Sequence, residues 1–154
     1  MLTRTLISFL TLGAFALAQS SENTIPAGNY HLELHWEDEG QQKITYAYNN
    51  DGTVWSGQTN KDTWFIEAVD PTGEGYTIQN VASKQYAQGS VTENTPIELS
   101  GTKSLWAFNA TIPKASLPGP FTIHDIRADT LVWTAKEVDE DDMVRSFLPP
   151  LGLG

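Results

Sequence analysis

The chain has no cysteine in its 154 residues, which excludes disulfides and cysteine-ligated zinc sites. Its stability must therefore come from packing, for which 5 Trp, 5 Tyr and 6 Phe supply large apolar surfaces. Basic residues are also scarce, with 9 Lys and Arg against 19 Asp and Glu and a formal net charge of −10. This acidic balance disfavours phosphate backbones and anionic membrane surfaces, so we expect neither nucleic acid nor membrane as a partner.

Apolar runs of membrane-spanning length are absent, and only the N-terminus carries a long apolar segment. Residues 1–18 have the pattern of a secretory signal: Arg4, then the apolar run Leu6–Ala16, then Ala16-Leu17-Ala18 before Gln19. The alternative is a buried N-terminal helix. The pattern predicts a signal peptide at 1–18, one domain at 19–154 and a secreted, extracellular protein.

A repeat of about 45 residues organises the rest of the chain. An aromatic residue opens each copy, at Tyr30, Tyr76 and Phe121, and a tryptophan closes the first two copies, at Trp64 and Trp106. The copies lie at about 26–70, 73–112 and 118–154. A third closing aromatic is expected near residues 151–155 and is absent, so we predict that the last copy is incomplete, with Leu151 and Leu153 as a possible stub.

Short alternating segments between turn residues predict strands throughout the three copies, and no sustained helical period follows residue 18. The predicted strands are Tyr30–Trp36, Lys43–Tyr48, Thr53–Ser56, Thr63–Val69, Tyr76–Asn80, Gln85–Gln88, Pro96–Ser100, Leu105–Thr111, Phe121–Ile126, Leu131–Lys136 and Met143–Leu148. Residues Ser20–Ile25 are predicted to be a loose leader. Copies of four short strands indicate an all-β fold closed into a threefold barrel, which leaves no exposed sheet edge.

The second copy carries a family resemblance. Its segments Gly-Tyr-Thr-Ile-Gln-Asn-Val-Ala-Ser from Gly75, Thr-Pro-Ile-Glu-Leu from Thr95 and the closing Trp106 resemble fungal secreted β-trefoil proteins, which are grouped with ricin-B-type lectins. The resemblance implies a β-trefoil of three four-stranded copies and a non-catalytic, carbohydrate-binding role without a cofactor. Its partner would be a glycan or a glycoprotein.

One departure from that family concerns the residues before each closing tryptophan. Such lectins close each copy with Gln-x-Trp, whereas this chain has Asp62-Thr63-Trp64 and Ser104-Leu105-Trp106. Fungal trefoils also include protease inhibitors, which present a loop to a protease. The alternatives are therefore a trefoil inhibitor with a protease as partner, and a degenerate trefoil without a ligand.

The aromatic residues divide into a repeated set and an unrepeated pair. Residues that recur at equivalent places in the copies are predicted to form the core; they are Tyr30, Trp64, Tyr76, Tyr86, Trp106, Phe121 and Trp133. Trp36 and Trp55 have no clear counterpart, and one of them is a candidate platform for stacking against a sugar.

Sugar recognition pairs an aromatic platform with a carboxylate or an amide that binds vicinal hydroxyls. The strongest candidate is Asn50, Asp51 and Trp55 around one predicted hairpin. Weaker sets are Glu93 with Asn94 in the second copy, and Asp125 or Asp129 with Trp133 in the third. Because Asn and Asp also favour turns for conformational reasons, a purely structural role stays open for each set.

Metal and catalytic patterns are weak. His31 and His35 share a strand face with Glu33, but residues four apart on a strand lie about 13 Å apart, too far for one ion. The acidic run 139–142 lacks the glycine and the ligand spacing of a calcium loop. We find no nucleophile elbow and no phosphate loop, so we expect neither a bound metal nor an enzyme.

A single N-x-[ST] sequon with a permitted middle residue occurs, at Asn109-Ala110-Thr111. In a secreted chain Asn109 is a candidate for glycosylation. Its position on a predicted closing strand is the argument against its use.

Overall fold

The computed structural model describes residues 6–12, 25–38, 41–69, 75–110, 120–138 and 141–147. These residues form thirteen strands, and every pairing between them is antiparallel. The strands are β1 Leu6–Leu12, β2 Gly28–Asp38, β3 Gln41–Asn50, β4 Thr53–Gly57, β5 Trp64–Ala68, β6 Tyr76–Asn80, β7 Tyr86–Gln88, β8 Thr95–Pro96, β9 Glu98–Ser100, β10 Trp106–Ala110, β11 Pro120–Asp125, β12 Ala128–Val138 and β13 Asp141–Phe147. The described part of the chain contains no helix.

Side-chain alternation explains why these segments become strands. On β2 the apolar residues Tyr30, Leu32 and Leu34 are all buried, while His31 and Glu33 between them are only half-buried. Successive side chains of a strand point to opposite faces, so one face of β2 lies on the core. The prediction of an all-β fold is confirmed.

A closed antiparallel barrel of seven strands forms the centre of the fold. Its strands pair in the order β2, β3, β4, β9, β7, β6, β5 and back to β2. Closure leaves fewer unpaired backbone groups at sheet edges. Within the described ranges, no helix is long and apolar enough to cross a membrane.

A second closed ring, called the inner ring below, shares three strands with this barrel. It runs β1, β2, β5, β6, β10, β11 and back to β1. Three units contact one another through the pairings β4–β9, β4–β13 and β8–β13: the hairpin β3–β4, the segment that contains β7, β8 and β9, and the hairpin β12–β13. The strands that are not in this ring therefore form a layer of three mutually paired units.

The first two copies are built alike around their closing tryptophans. The indole Nε1 of Trp64 donates to the carbonyl oxygen of Ala47 at 3.1 Å, and that of Trp106 donates to Ala87 at 3.0 Å. Both indoles are fully buried, so each needs such an acceptor for its only polar group. The predicted burial is confirmed for Trp64 and Trp106, and likewise for Tyr30, Tyr76 and Trp133.

Three details differ from the sequence prediction. The single strand predicted at Pro96–Ser100 is two short strands, β8 and β9, separated by the fully buried Ile97. Tyr86 is only half-buried, and the ammonium group of Lys103 lies over its ring. Ile25 is a core residue rather than part of a loose leader, and its N–H donates to the Tyr76 hydroxyl at 3.0 Å.

The N-terminal strand lies within the segment that the sequence predicts to be a signal peptide. Residues Leu6–Leu12 pair along their whole length with β2 and at two positions with β11. The remaining predicted signal residues, the expected stub at Leu151 and Leu153, and the side chain of Phe121 lie outside the described part of the chain.

Candidate functional site

The candidate site is the turn between β3 and β4. Asp51 has φ 52° and Gly52 has φ 83°, the left-handed conformations that a two-residue hairpin turn of type I′ requires. Asn49 closes the turn, since its side-chain oxygen accepts the Gly52 N–H at 2.9 Å. The hairpin predicted from Asn49-Asn50-Asp51-Gly52 is therefore confirmed, and it presents both Asn50 and Asp51 to solvent.

Neighbouring elements hold this turn in place. The carbonyl oxygen of Gly52 accepts the Leu99 N–H at 2.7 Å, and the Val54 N–H donates to the Ile97 carbonyl at 2.8 Å. On the other side, the Asn49 N–H donates to the Asp62 carboxylate at 2.8 Å. Bonds from the second copy and from its own copy fix the backbone, so Asn50 and Asp51 are displayed on a preorganised support.

Trp55 shares a face of the hairpin with Asn50. Asn50 pairs with Thr53 across the turn, and Trp55 lies two residues beyond Thr53 on the same strand, where side chains point the same way. Such diagonal neighbours lie about 7–8 Å apart, a separation that a sugar ring can bridge. The buried residues Val54 and Ser56 occupy the opposite face of β4, which leaves Trp55 half-buried at the rim.

Trp55 is also the one accessible tryptophan among the four whose side chains are described. Trp64, Trp106 and Trp133 are at most 3 % exposed. Trp36 lies on β2, and its side chain is outside the described part of the chain. The structure thus brings Asn50 and Trp55 to one face and places Asp51 in the adjoining turn.

Asp62 is a polar junction that sequence reasoning did not single out. Its carboxylate Oδ2 accepts the Asn49 N–H and, at 2.7 Å, the side-chain amide of the fully buried Asn80. Its carbonyl oxygen lies 2.8 Å from Nδ1 of His31. The residue two before Trp64 therefore ties the candidate turn to the second copy and to His31 of β2.

A second feature missed from the sequence is a lysine placed over a tyrosine in each of the first two copies. Lys61 Nζ lies 5.4 Å from the ring centroid of Tyr46, and Lys103 Nζ lies 5.2 Å from that of Tyr86. The signal was present as Lys-x-x-Trp, which occurs in the sequence before both Trp64 and Trp106. These cation–π contacts cover rings that would otherwise be open to ligands.

The candidate Asp125 is not available to a ligand. It is 1 % exposed, and its carboxylate accepts from the Arg127 guanidinium at 2.7 and 2.9 Å and from the Arg127 N–H at 2.9 Å. Burial raises the pKa of Asp125, but the hydrogen bonds and charge of Arg127 outweigh burial and lower it below its usual value. Arg127 also donates to the Gly89 carbonyl at 3.2 Å, so this cluster joins the second and third copies.

The other candidates are placed as follows. Glu93 and Asn94 are exposed in the loop before β8, where Asn94 has φ 62°. The side chain of Asp129 and residues 139–140 lie outside the described part. No group of three or more His, Asp or Glu side chains in the described part is placed to hold a metal ion.

Asn109 is exposed on β10, opposite Thr122 of β11, and Thr111 of the sequon lies outside the described residues. The position is accessible, but its backbone belongs to a paired strand. Glycosylation at Asn109 stays a prediction.

Comparison of the chain with protein-family models, with curated proteins and with solved structures finds no match in any of the three. The functional argument therefore depends on the geometry of the site.

Proposed function

We propose that the protein is a secreted, non-catalytic β-trefoil that binds carbohydrate at the β3–β4 turn. The trefoil assignment is supported by a pairing that the first two copies share. In the inner ring the opening aromatic lies opposite the closing tryptophan of the same copy, Tyr30 opposite Trp64 and Tyr76 opposite Trp106. It is supported further by the three mutually paired units that lie outside that ring.

The observation that carries the binding proposal is the half-exposed Trp55 beside Asn50 and Asp51. An indole face stacks on the apolar C–H surface of a sugar ring, while an amide and a carboxylate bind adjacent hydroxyls. The turn is held by bonds from its own copy and from the second copy, so these groups lose little freedom on binding.

The expected affinity is low. The site is an open turn rather than an enclosed pocket, and a single shallow contact corresponds to a Kd of about 1 mM, or about −4 kcal/mol. Clustered ligands raise the apparent affinity, because the second contact becomes intramolecular. We therefore propose a multivalent glycan or a glycoprotein as the ligand, and no catalytic step.

A protease-inhibiting loop is the second candidate, and one observation favours it. Val91 is 57 % exposed at the tip of the loop between β7 and β8. The Thr92 N–H donates to the Ser90 hydroxyl at 3.0 Å, and Asn94 ends the loop in a left-handed conformation. An exposed apolar side chain on a locally bonded loop is a shape that a protease subsite can accept.

One experiment separates the two candidates. The protein and its Trp55→Ala variant are screened on a multivalent glycan array and against a panel of proteases, with Val91→Asp as the matched loop variant. The proposal requires glycan binding that Trp55→Ala removes and Val91→Asp keeps. If the parent protein binds no glycan but inhibits a protease, and Val91→Asp removes that inhibition, the inhibitor function replaces the carbohydrate-binding proposal. If the protein shows neither glycan binding nor protease inhibition, both candidate functions are contradicted.

A further inference from the structure

The strand β1 takes the place of a third closing strand in the inner ring. One residue pairing recurs three times around the ring. It joins the aromatic residue that opens a copy to a residue on the strand that closes a copy, which is a tryptophan in the first two copies. Its three instances are Tyr30 with Trp64, Tyr76 with Trp106, and Phe121 with Ser8.

A second, independent pairing shows the same register. It joins the closing position to the residue four after the next opening aromatic. Its three instances are Trp64 with Asn80, Trp106 with Asp125, and Ser8 with Leu34. Two separate registers thus place Ser8 at the position of a closing tryptophan, between β2 and β11.

The partners of β1 on β2 include the core face of the barrel. Ser8 is opposite Leu34, Leu10 is opposite Leu32 and Leu12 is opposite Tyr30. These three β2 residues are at most 4 % exposed. Leu10 and Leu12 are apolar like their β2 partners, so the observed register pairs apolar residues at two of these three positions.

We propose that the cleft between β2 and β11 is a strand-binding site, occupied by residues Leu6–Leu12 of the same chain. When cleavage after Ala18 separates this segment from the domain, the site holds it as an antiparallel strand. The site is independent of the β3–β4 turn and does not depend on its ligand.

The physical reason is the unpaired backbone that an empty cleft would leave. Without β1, Tyr30–Trp36 of β2 and Pro120–Phe121 of β11 would lose the strand partner that they have on that side. An extended peptide satisfies both edges at once, which is the β-strand addition mode of peptide recognition.

The first test measures the register in the full-length, uncleaved chain. Because the protein has no cysteine, any intramolecular disulfide that forms must join the two introduced cysteines. Thr11 is opposite His31, so Thr11→Cys with His31→Cys should form a disulfide under mild oxidation. In the control, Thr11→Cys with His35→Cys, the second thiol lies four residues along β2, about 13 Å away. Cross-linking of both pairs, or of neither, overturns the proposal.

The second test measures strand binding after cleavage. A specific protease site is placed after Ala18 in the full chain, the folded protein is cut, and the fragments are separated by size exclusion. Residues 1–18 should co-elute with the domain and be displaced by an excess of the same peptide carrying a dye. A matched Ser8→Pro variant, which cannot make a continuous strand, should lose co-elution. Release of the wild-type fragment with no dye-labelled peptide bound contradicts the proposal.

Discussion

The indole rings of Trp106 and Trp133 meet edge to face, with their centroids 5.1 Å apart and their planes at 90°. Trp106 closes the second copy and Trp133 belongs to β12 of the third, so the contact joins two repeats in the core. Such a pair contributes about 0.5–1.5 kcal/mol beyond the burial of its surface.

Truncation of Trp106 is expected to be strongly destabilising. Trp106→Ala removes this ring contact, leaves a cavity and deprives the Ala87 carbonyl of its donor. The expected loss in the free energy of unfolding is about 3–5 kcal/mol, measured by denaturant unfolding. That is a large part of the about 5–15 kcal/mol that stabilises a typical domain. An unchanged midpoint would show that Trp106 is not in the core.

Sequence alone gave the repeat and most of the strands because both depend on local patterns. Tyr76–Asn80 was predicted with the bounds that the structure has, since alternation and flanking turns define it. Tyr86 was predicted to be core by recurrence, but recurrence does not show that Lys103 covers its ring from outside. The polar junction at Asp62 depends on contacts with residues 13 and 18 positions away, which no local pattern contains.

The strand β1 shows a different limit. An apolar run of this length is compatible with a signal segment, a buried helix or a buried strand, and composition does not separate them. Only the register with Leu34 and Phe121 reveals that Ser8 lies at a closing position. At the candidate site, the turn was predictable from Asn and Gly, whereas the shared face of Asn50 and Trp55 depends on the observed pairing.

Gly89 is expected to tolerate no side chain. A Cβ at this position would lie 2.5 Å from Cη2 of Trp106 and 3.0 Å from Oδ2 of Asp125. Gly89→Ala should therefore lower the free energy of unfolding by about 1–3 kcal/mol, the usual effect of overpacking. Gly101→Ala is the matched control, because its Cβ would meet nothing within 4 Å. Equal thermal midpoints for the two variants would contradict the packing described around Gly89.

The ion pair of Asp125 and Arg127 should support folding above acidic pH. The folded-state pKa of Asp125 is lower than its unfolded value, so its stabilisation is present above the unfolded value, about 3.9, and is lost as the pH falls through the folded one. Arg127→Gln leaves the buried carboxylate without its cation. This change should raise the pKa of Asp125 and lower the free energy of unfolding at neutral pH by about 1–3 kcal/mol.

Acid unfolding followed by tryptophan fluorescence checks this expectation, and the Arg127→Gln midpoint should move to higher pH. The control is Lys103→Gln, which breaks the Lys103–Glu67 pair at 3.5 Å, where the side chains are 53 % and 39 % exposed, and also removes the exposed Lys103 ammonium from the Tyr86 ring. Exposed pairs contribute about 0–1 kcal/mol, so this variant should stay close to the parent protein. An acid midpoint that is the same in both variants is the result that rejects a stabilising role for Arg127.

If the protein is exported through its N-terminal segment, the secreted form should have a defined new N-terminus. Arg4, the apolar run and the small residues at Ala16 and Ala18 predict cleavage before Gln19. N-terminal sequencing of protein recovered from the medium should begin at Gln19 or within a residue or two of it. Ala16→Leu with Ala18→Leu should block cleavage, whereas the matched variant Ala14→Leu should not. An intracellular product that keeps Met1 would exclude export by this segment.

The ligand is tested most directly by Trp55→Ala. Because Trp55 lies half-buried at the rim while Val54 and Ser56 hold the core side of β4, its truncation should remove a stacking surface and leave folding largely intact. We expect loss of binding to a clustered glycan, measured by surface plasmon resonance, and a loss in the free energy of unfolding well below the about 3–5 kcal/mol expected for the fully buried Trp106. Asn50→Ala and Asp51→Gly should weaken binding less, since each removes hydrogen bonds of about 0.5–1.5 kcal/mol. If Trp55→Ala unfolds the protein, Trp55 belongs to the core; if the folded variant binds as tightly as the parent, the sugar contacts lie away from the β3–β4 turn.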